Sequence, residues 1–383
     1  MTFRTRRTIF YSLVLLFALI APIIVLMSFG YSVNLRKWHV EKTGGIFIKS
    51  KTPRMSLFLD GTFVKETSFL SGNALITDIT PGPHLLRLEK ADFYSISKTV
   101  EVAPVTVTEF RNILLIPNPV IAATSTPEEV RAIGEWLLSP MAGKMPAGVS
   151  ASAENPSPKK LGTVTRDRKK NLLMGTGTST RVLASDVHSF AEIGEKIIFV
   201  SANGFLAAMD IKSGDMQTLG RPGFFISEKP FRFIASPSDE TAILDSAGGL
   251  FLLDAENQLT LVRGDVERAS FDRTGAKLLF ATSHSIETLW RVNADYQPFQ
   301  KKGTRESVFR SDEPILDAQW FFDDNNHILI RKKREVLFTE LDARGGRNAV
   351  ILVPEKTDEI ATVPDLGARV FFKIGNAWFT ITL

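Results

Sequence analysis

The 383 residues contain no cysteine, which excludes disulfide staples, thiolate metal sites, a cysteine nucleophile and lipid attachment through cysteine. Tyrosine (4) and tryptophan (5) are scarce beside 28 phenylalanines, so the cores rest on Phe and aliphatic side chains. Acids are missing from the first 40 positions, where five cations stand: Arg4, Arg6, Arg7, Arg36 and Lys37. Beyond residue 40, 41 cations face 42 acids, so the formal charge of +4 reports a basic membrane flank and not a nucleic-acid surface. What remains is ordinary: 44% hydrophobic and 23% charged residues exclude a disordered or collagen-like chain. The length predicts two or three folded units.

Residues 9–29 read IFYSLVLLFALIAPIIVLMSF without a charge. At about 1.5 Å per residue such a helix spans the hydrocarbon layer of a bilayer. A single transmembrane helix is therefore expected over 9–30. Ile9, Leu13, Leu16, Leu19, Pro22, Ile24, Leu26 and Phe29 form the anchor, with Tyr11 and Trp38 as interfacial aromatics. Arg4, Arg6 and Arg7 hold the flank 1–8 in the cytoplasm and set the topology, with Arg36 and Lys37 weakening that bias from the far side. Ser28 and Gly30 also suit cleavage before Tyr31 as a signal peptide, but the apolar run exceeds an ordinary signal core. Retained or cleaved, the segment places the rest of the chain outside the cytoplasm, at a cell membrane crossed once.

Over 43–117, short alternating runs are separated by turn residues. IFIKS, LFLDG, NALITDI, HLLRLEK, KTVEVAP, VTVTEF and NILLIP are punctuated by Pro53, Asp60-Gly61 and Pro81-Gly82-Pro83, which predicts a small antiparallel β-sandwich. Pro53, Asp60-Gly61, Pro81-Gly82 with His84, Leu86 and Leu88, then Lys90, Tyr94, Val100 and Val102 give this stretch its character. It resembles a PEGA domain, a small β-sandwich module of bacterial and archaeal envelope proteins. It departs from that family at Asp92-Phe93-Tyr94, where a Gly-Tyr pair is usual. The resemblance implies a non-catalytic surface module and carries over no catalytic residue. His84, with no second ligand residue nearby, is expected to be a strand-edge residue fixed by its turn.

Residues 118–162 are rich in Pro, Ala and Ser and read as a linker. They hold one short helix capped by Thr126, with Pro127, Glu128 and Glu129 in its first turn and an apolar face of Val130, Ile133, Trp136, Leu137 and Leu138. Lys159, Lys160, Arg166, Arg168, Lys169 and Lys170 form a basic cluster expected to be a solvated segment.

Residues 163–383 are β-patterned and repeat imperfectly. Aligning Ile197, Ile243, Leu278, Ile328 and Val370 gives spacings near those of propeller blades, the last four preceded by a turn (Ser238-Asp239, Thr274-Gly275, Asp324-Asn325, Leu366-Gly367). FRFIAS and ERASFD are expected innermost strands; NLLMGT and TRVLAS are expected to close the ring with the C-terminal AWFTITL. The chain is thus expected to be all-β after its single transmembrane helix, with a PEGA-like sandwich and a five- or six-bladed β-propeller. Two stacked sandwiches are the competing arrangement for the last part.

Chemistry is thinly signalled. His39, His84, His188, His284 and His327 are scattered singly, no Gly-x-Ser-x-Gly elbow is present, and GTGTST (175–180) lacks the lysine of a phosphate loop. Residues 323–326 (Asp-Asp-Asn-Asn) are read as a turn ahead of a calcium loop, and residues 331–334 (Arg-Lys-Lys-Arg) as a β segment whose alternate residues share a face. Asp312-Glu313 and Glu128-Glu129 are adjacent carboxylates, poor acid/base partners. No catalytic, cofactor-binding or metal-binding residue is expected, and no cofactor. The expected function is a membrane-anchored extracytoplasmic binding or scaffold protein of the cell envelope. Its partners are the lipid bilayer and an envelope protein or glycan, not nucleic acid, read by loops at Asn203-Gly204, Ser246 to Gly249 and Ser283 to Ser285. The alternative is an extracytoplasmic hydrolase or lyase acting on polysaccharide or peptide, with groups from several blades converging in the propeller channel. A sensor or secretion component working through the short cytoplasmic end is a third reading, for which so short a flank offers little surface.

Overall fold

The computed structural model describes residues 3–28, 31–34, 39–142, 163–176 and 179–383. Phe29, Gly30, Arg36, Lys37, Trp38, Lys159 and Lys160, and Gly177 and Thr178 of the GTGTST run, lie outside the described residues. The chain is mostly β with an apolar N-terminal helix, and it divides into two units.

The first unit comprises Met1–Val120 with Asp295–Phe299 and Asp342–Asn348. Helix α1 (Phe3–Ser28) runs through Pro22, with Arg4, Arg6 and Arg7 in its first two turns. Its segment Arg4–Val25 has a mean hydropathy of 2.6 and buries nothing, and is long and apolar enough to cross a membrane. Ile9, Leu13, Leu16, Leu19 and Ile24 are all exposed on it. A hairpin of Tyr31–Asn34 and His39–Lys42 follows, ahead of the expected start of the sandwich.

Two sheets then share one core. The first orders Asn73–Ile79, Gly44–Ser50 and Val107–Ile113; the second orders Thr62–Glu66, Ser56–Leu59, Gly82–Glu89 and Ile96–Val102. Ile46, Ile48, Ile76 and Phe110 from one meet Leu57, Leu86, Leu88 and Val100 from the other. Burial alternates strictly along Ile96–Val102, as a half-buried strand requires. The sandwich is not antiparallel throughout. The chain changes sheet at 103–106, so Val107–Ile113 merges two expected strands into one and runs parallel to Gly44–Ser50. Lys98, fully buried, donates from Nζ to the carbonyls of Arg344 (3.2 Å) and Gly346 (2.9 Å).

Among the described residues, the second unit contains six sheets in chain order. Sheet I holds Thr163–Arg166, Leu172–Thr176 and Ser179–Ala184; sheet II holds Val187–Ile193, Lys196–Ser201, Leu206–Asp210 and Met216–Gly220. Sheet III holds Arg232–Ala235, Thr241–Leu244, Leu250–Leu253 and Leu259–Arg263, and sheet IV Arg268–Phe271, Lys277–Ala281, Ser285–Trp290 and Arg305–Arg310. Sheet V holds Asp317–Trp320, His327–Arg331, Val336–Glu340 and Ala349–Val353. Sheet VI orders Glu359–Ala361, Arg369–Ile374, Ala377–Thr382 and, as its fourth strand, Ala122–Thr124. The first strands of sheets II to VI touch in succession, which is the β-propeller arrangement.

The expected innermost strands in FRFIAS and ERASFD are the first strands of sheets III and IV. AWFTITL lies inside sheet VI as expected, but its partner differs. Ala122–Thr124, from the segment read as linker, pairs with it instead of the early strands of sheet I. In sheet I the Val187 N–H donates to Lys170, in the turn after Thr163–Arg166. The corresponding bonds from Val266 and Ile315 reach Gly248 and Ser283, in turns after second strands. Thr163–Arg166 therefore occupies a second-strand place, and a first strand of sheet I is not among the described residues.

The four turns of the repeat share one backbone feature. Asp239 (φ 60°), Gly275 (73°), Asn325 (56°) and Gly367 (68°) each take a positive φ between the first and second strands. Asp, Asn and Gly are the residues that tolerate it. Asp272 reinforces its turn by accepting from Thr274 and Ala276, which leaves its Oδ2 3.8 Å from Lys277 Nζ. Lys277 is buried between Trp290 and Trp320, and that burial pulls its pKa below the ordinary lysine value.

Polar links join neighbouring sheets. Arg291 donates two bonds to Glu240 (2.8 and 2.7 Å), Trp320 Nε1 donates to Ser270 O (3.0 Å), and Gln319 Nε2 donates to Ile360 O (2.7 Å). Because the Glu240–Arg291 pair is nearly dry, Arg291→Ala strands a carboxylate and is expected to cost about 3–5 kcal/mol. The paired replacement Glu240→Leu with Arg291→Met is expected to stay within about 1 kcal/mol of the parent, as urea unfolding of both variants checks.

Candidate functional site

Charged side chains from three successive first strands converge near the axis of the second unit. Arg232, Arg268 and Asp317 each open their strand, at matched register: they pair across to Leu244, Ala281 and Arg331, the last residues of the second strands. Arg268 lies 3.2 Å from Asp317 and donates from Nε (2.9 Å) and Nη2 (2.7 Å) to Leu316 O. Arg232 donates to Glu267 O, the same position one sheet earlier. Burial, and then the positive charge of Arg268, pull the Arg232 guanidinium below its ordinary pKa. Asp317 Oδ1 accepts from Ala318 N–H and its Oδ2 from Gln319 Nε2.

These groups were not picked out from the sequence, since 36 and 49 residues separate them. A signal existed: a charged residue stands at the same place ahead of each aligned run. Two second-strand arginines repeat the theme. Arg331 donates to Thr357 O (3.1 Å), and Arg166, from the expected basic cluster, donates to Val187 O and His188 O.

Helix α2 (Pro127–Leu137) and the 3-10 turn Pro140–Ala142 cover part of this axis. Thr126 caps the helix as expected and forms a capping box with Glu129, which also binds Arg369 at 2.7 Å. Ile133 packs with Ala361, Val363 and Phe371, Trp136 meets Phe322 edge-on, and the 3-10 turn rests on the first strands of sheets III and IV. The pocket left there is lined by Trp136, Ala142, Arg268, Ser270, Asp317 and Gln319, among others. It has a volume of about 20 Å³, which holds a water and not a sugar ring.

The loops singled out for binding come together at one end of the second unit. Val266 donates to Gly248 O and Ile315 to Ser283 O, so these two loops touch the linker that enters the next sheet, while Ala202 donates to Asp186 O in the linker that enters its own sheet. Phe205 (45% exposed) lies beside Asn203-Gly204 with the Arg221 guanidinium 5.6 Å from its ring centre. Phe225 (58% exposed) is held by its N–H to Asp245 Oδ2 (2.9 Å), while Phe224 turns inward against Phe231 and Phe251.

Other sequence candidates resolve into structure. Residues 323–326 form a turn in which Asp324 accepts from Asn326 and His327, and His327 stacks on Phe338 at 4.9 Å. Residues 331–334 are not a continuous β segment: Arg331 ends its strand and the rest form a hairpin turn, so face alternation does not apply. His188 is tied to Ser189 and Ser227, and His284 to Ser311. Among the described residues, no group of three His, Cys, Asp or Glu is placed to hold a metal.

No family model matches the chain, and no curated protein matches it. Solved structures with similar folds include an oligogalacturonate lyase in complex with manganese, 10% identical with a TM-score of 0.37 over 58% of this chain and 74% of that one. YCF48 bound to D1 peptide is 12% identical with a TM-score of 0.35 over 89% and 97%. The Cps50 (Swd1) β-propeller domain of Myceliophteria thermophila is 11% identical with a TM-score of 0.36 over 57% and 78%. The propeller assignment rests on the strand order described above.

His84 bridges two turns of the first unit, with Nδ1 2.6 Å from Asp60 Oδ2 and Nε2 2.7 Å from Thr80 O. Both neighbours are acceptors, which favours the doubly protonated ring. The bond to Asp60 raises the His84 pKa, and the same bond lowers that of Asp60. A raised folded-state value means the contribution is complete below about pH 6.5 and fades as pH rises through the folded pKa. The expected outcome is a first-unit melting temperature that falls from pH 6 towards alkaline pH, with His84→Gln removing that slope, as thermal melts across the range check.

Proposed function

We propose that this chain is a membrane-tethered, extracytoplasmic binding protein. Helix α1 is its retained anchor, through Ile9, Leu13, Leu16, Leu19, Pro22, Ile24, Leu26 and Phe29, with Arg4, Arg6 and Arg7 on the cytoplasmic side. The first unit is a PEGA-like spacer. The second is a six-bladed propeller whose loop-bearing end, around Phe205, Arg221 and Phe225, takes an envelope protein or glycan. Of these two, the aromatic pair with its guanidinium suits a protein chain, since exposed Phe and Arg are what protein interfaces enrich.

One observation carries binding over catalysis. The charged groups that converge near the axis, as the hydrolase or lyase reading requires, are committed to backbone carbonyls and to each other around a space of about 20 Å³. A substrate entering there would break Arg268–Leu316 and Asp317–Gln319 bonds and leave buried polar groups unpaired. At the loop end the exposed groups ask for cover instead.

The test uses the full chain in detergent or nanodiscs as bait for envelope extract. Phe205→Ser with Phe225→Ser is expected to lower capture of the partner about tenfold, since central aromatics carry interface energy. The melting temperature is expected to hold, as both side chains lie on the surface. Turnover of a glycan or peptide by the parent, lost in Arg268→Ala, sinks the reading in favour of the enzyme. Protease shaving of intact cells checks orientation: digestion of both units is expected from outside.

A further inference from the structure

Leu70 is 81% exposed, more than any other large apolar side chain described, including those of α1, and its neighbour Phe69 is 59% exposed. Single exposed apolar residues are ordinary; two adjacent ones on a braced turn are not. The turn joins Thr62–Glu66 to Asn73–Ile79 and is held from several directions. Ser68 N–H donates to Asn73 O and Gly72 N–H to Ser68 O (both 2.9 Å), while Ser68 Oγ accepts from Leu70 and Ser71. Gly72, at φ +66°, packs so closely that a Cβ there would stand 2.2 Å from Ser50 O. The chain is thus fixed so that Phe69 and Leu70 project.

Their surroundings are basic. Arg54 is exposed and lies 5.3 Å from the Phe69 ring centre; Lys51 and Lys49 are exposed alongside, Lys49 opposite Asn73 in the sheet. Glu66 is the exposed acid on the adjoining strand. An apolar tip ringed by cations is the chemistry of an anionic lipid surface: side chains enter the interface while the basic heads stay at the phosphates. A protein groove would also take Phe and Leu, but the basic ring and a tether within the same unit favour lipid, because tethering raises the local concentration of bilayer.

We infer that the Phe69–Leu70 turn is a second, peripheral membrane contact of the first unit, seated in the headgroup layer of anionic lipid. The inference rests on the tethered reading above and adds a site to it.

The chain lacks cysteine, so a single introduced one can be labelled cleanly. Full-length Leu70→Cys carrying an environment-sensitive fluorophore is reconstituted into vesicles of phosphatidylcholine with phosphatidylglycerol and floated. Thr62→Cys, exposed at the opposite end of its strand, is the control. A nitroxide on the acyl chains is expected to quench the Leu70 label about threefold more than the Thr62 label, with a blue-shifted emission. That difference is expected to shrink in pure phosphatidylcholine or with Lys51→Gln and Arg54→Gln. Equal quenching at both positions in anionic vesicles overturns the contact. So does shielding of the Leu70 label that arises only when envelope protein is added, since that assigns the turn to a protein partner. Failure of the chain to float overturns tethering itself, a result read before any fluorescence.

Discussion

A short β-sheet that is apolar on both faces cannot bury itself, and the second unit follows from that constraint. Along Thr241–Leu244, Leu250–Leu253 and Lys277–Ala281 every residue is buried, with none of the alternation that a sheet facing water shows. Each sheet needs a neighbour on either side. Ile234, Leu244 and Leu252 of sheet III meet Phe271, Leu278 and Phe280 of sheet IV in one cluster; Ile243 and Phe251, on the reverse face of sheet III, meet Ile198 and Val200 of sheet II in another. Stacking of this kind ends only when the first sheet meets the last. Ala122–Thr124, which precedes sheet I in the chain, completes sheet VI as its fourth strand.

Once sheets stack on both faces, their first strands crowd one axis, and the half-buried and buried polar groups there find partners within the protein. Arg232 and Arg268 do so by donating to the carbonyl just before the next sheet's first strand, and Asp317 and Gln319 pair with each other while Gln319 also reaches Ile360. These bonds are directional, so they fix the rotation of one sheet against the next where apolar contacts alone would tolerate slippage. The same bonds commit those groups to structure. A guanidinium that holds two strands together is a poor oxyanion clamp, because releasing it costs the contacts it makes.

How far this was readable beforehand depended on the physical range of each signal. Continuous apolar runs and the recurring Asp, Gly or Asn of the positive-φ turns are local properties, and Asp239, Gly275, Asn325 and Gly367 mark the repeat without any knowledge of packing. Ala122–Thr124 carries no such mark. It is an outermost strand, all three residues are exposed, and its place is decided by backbone pairing with Phe379 to Ile381 some 255 residues away. The parallel course of Val107–Ile113 was hidden for a related reason. Alternation tells which face a residue takes and nothing about which sheet its strand joins. The axial charges fell between these cases: visible one at a time, meaningful only when the repeats are superposed at Arg232, Arg268 and Asp317.

The distribution of unsatisfied surface argues in the same direction as the axis. Phe205 and Phe225 are left in water at the loop end of the second unit, Phe205 held by its N–H to Ser201 Oγ (3.0 Å) and Phe225 by Asp245 beside the inward-turned Phe224. Bracing costs conformational entropy that exposed loops normally keep. Where the backbone is held and the large side chain still points outward, the chain has given up freedom without burying the residue, which is the physical ground of the proposed contact there.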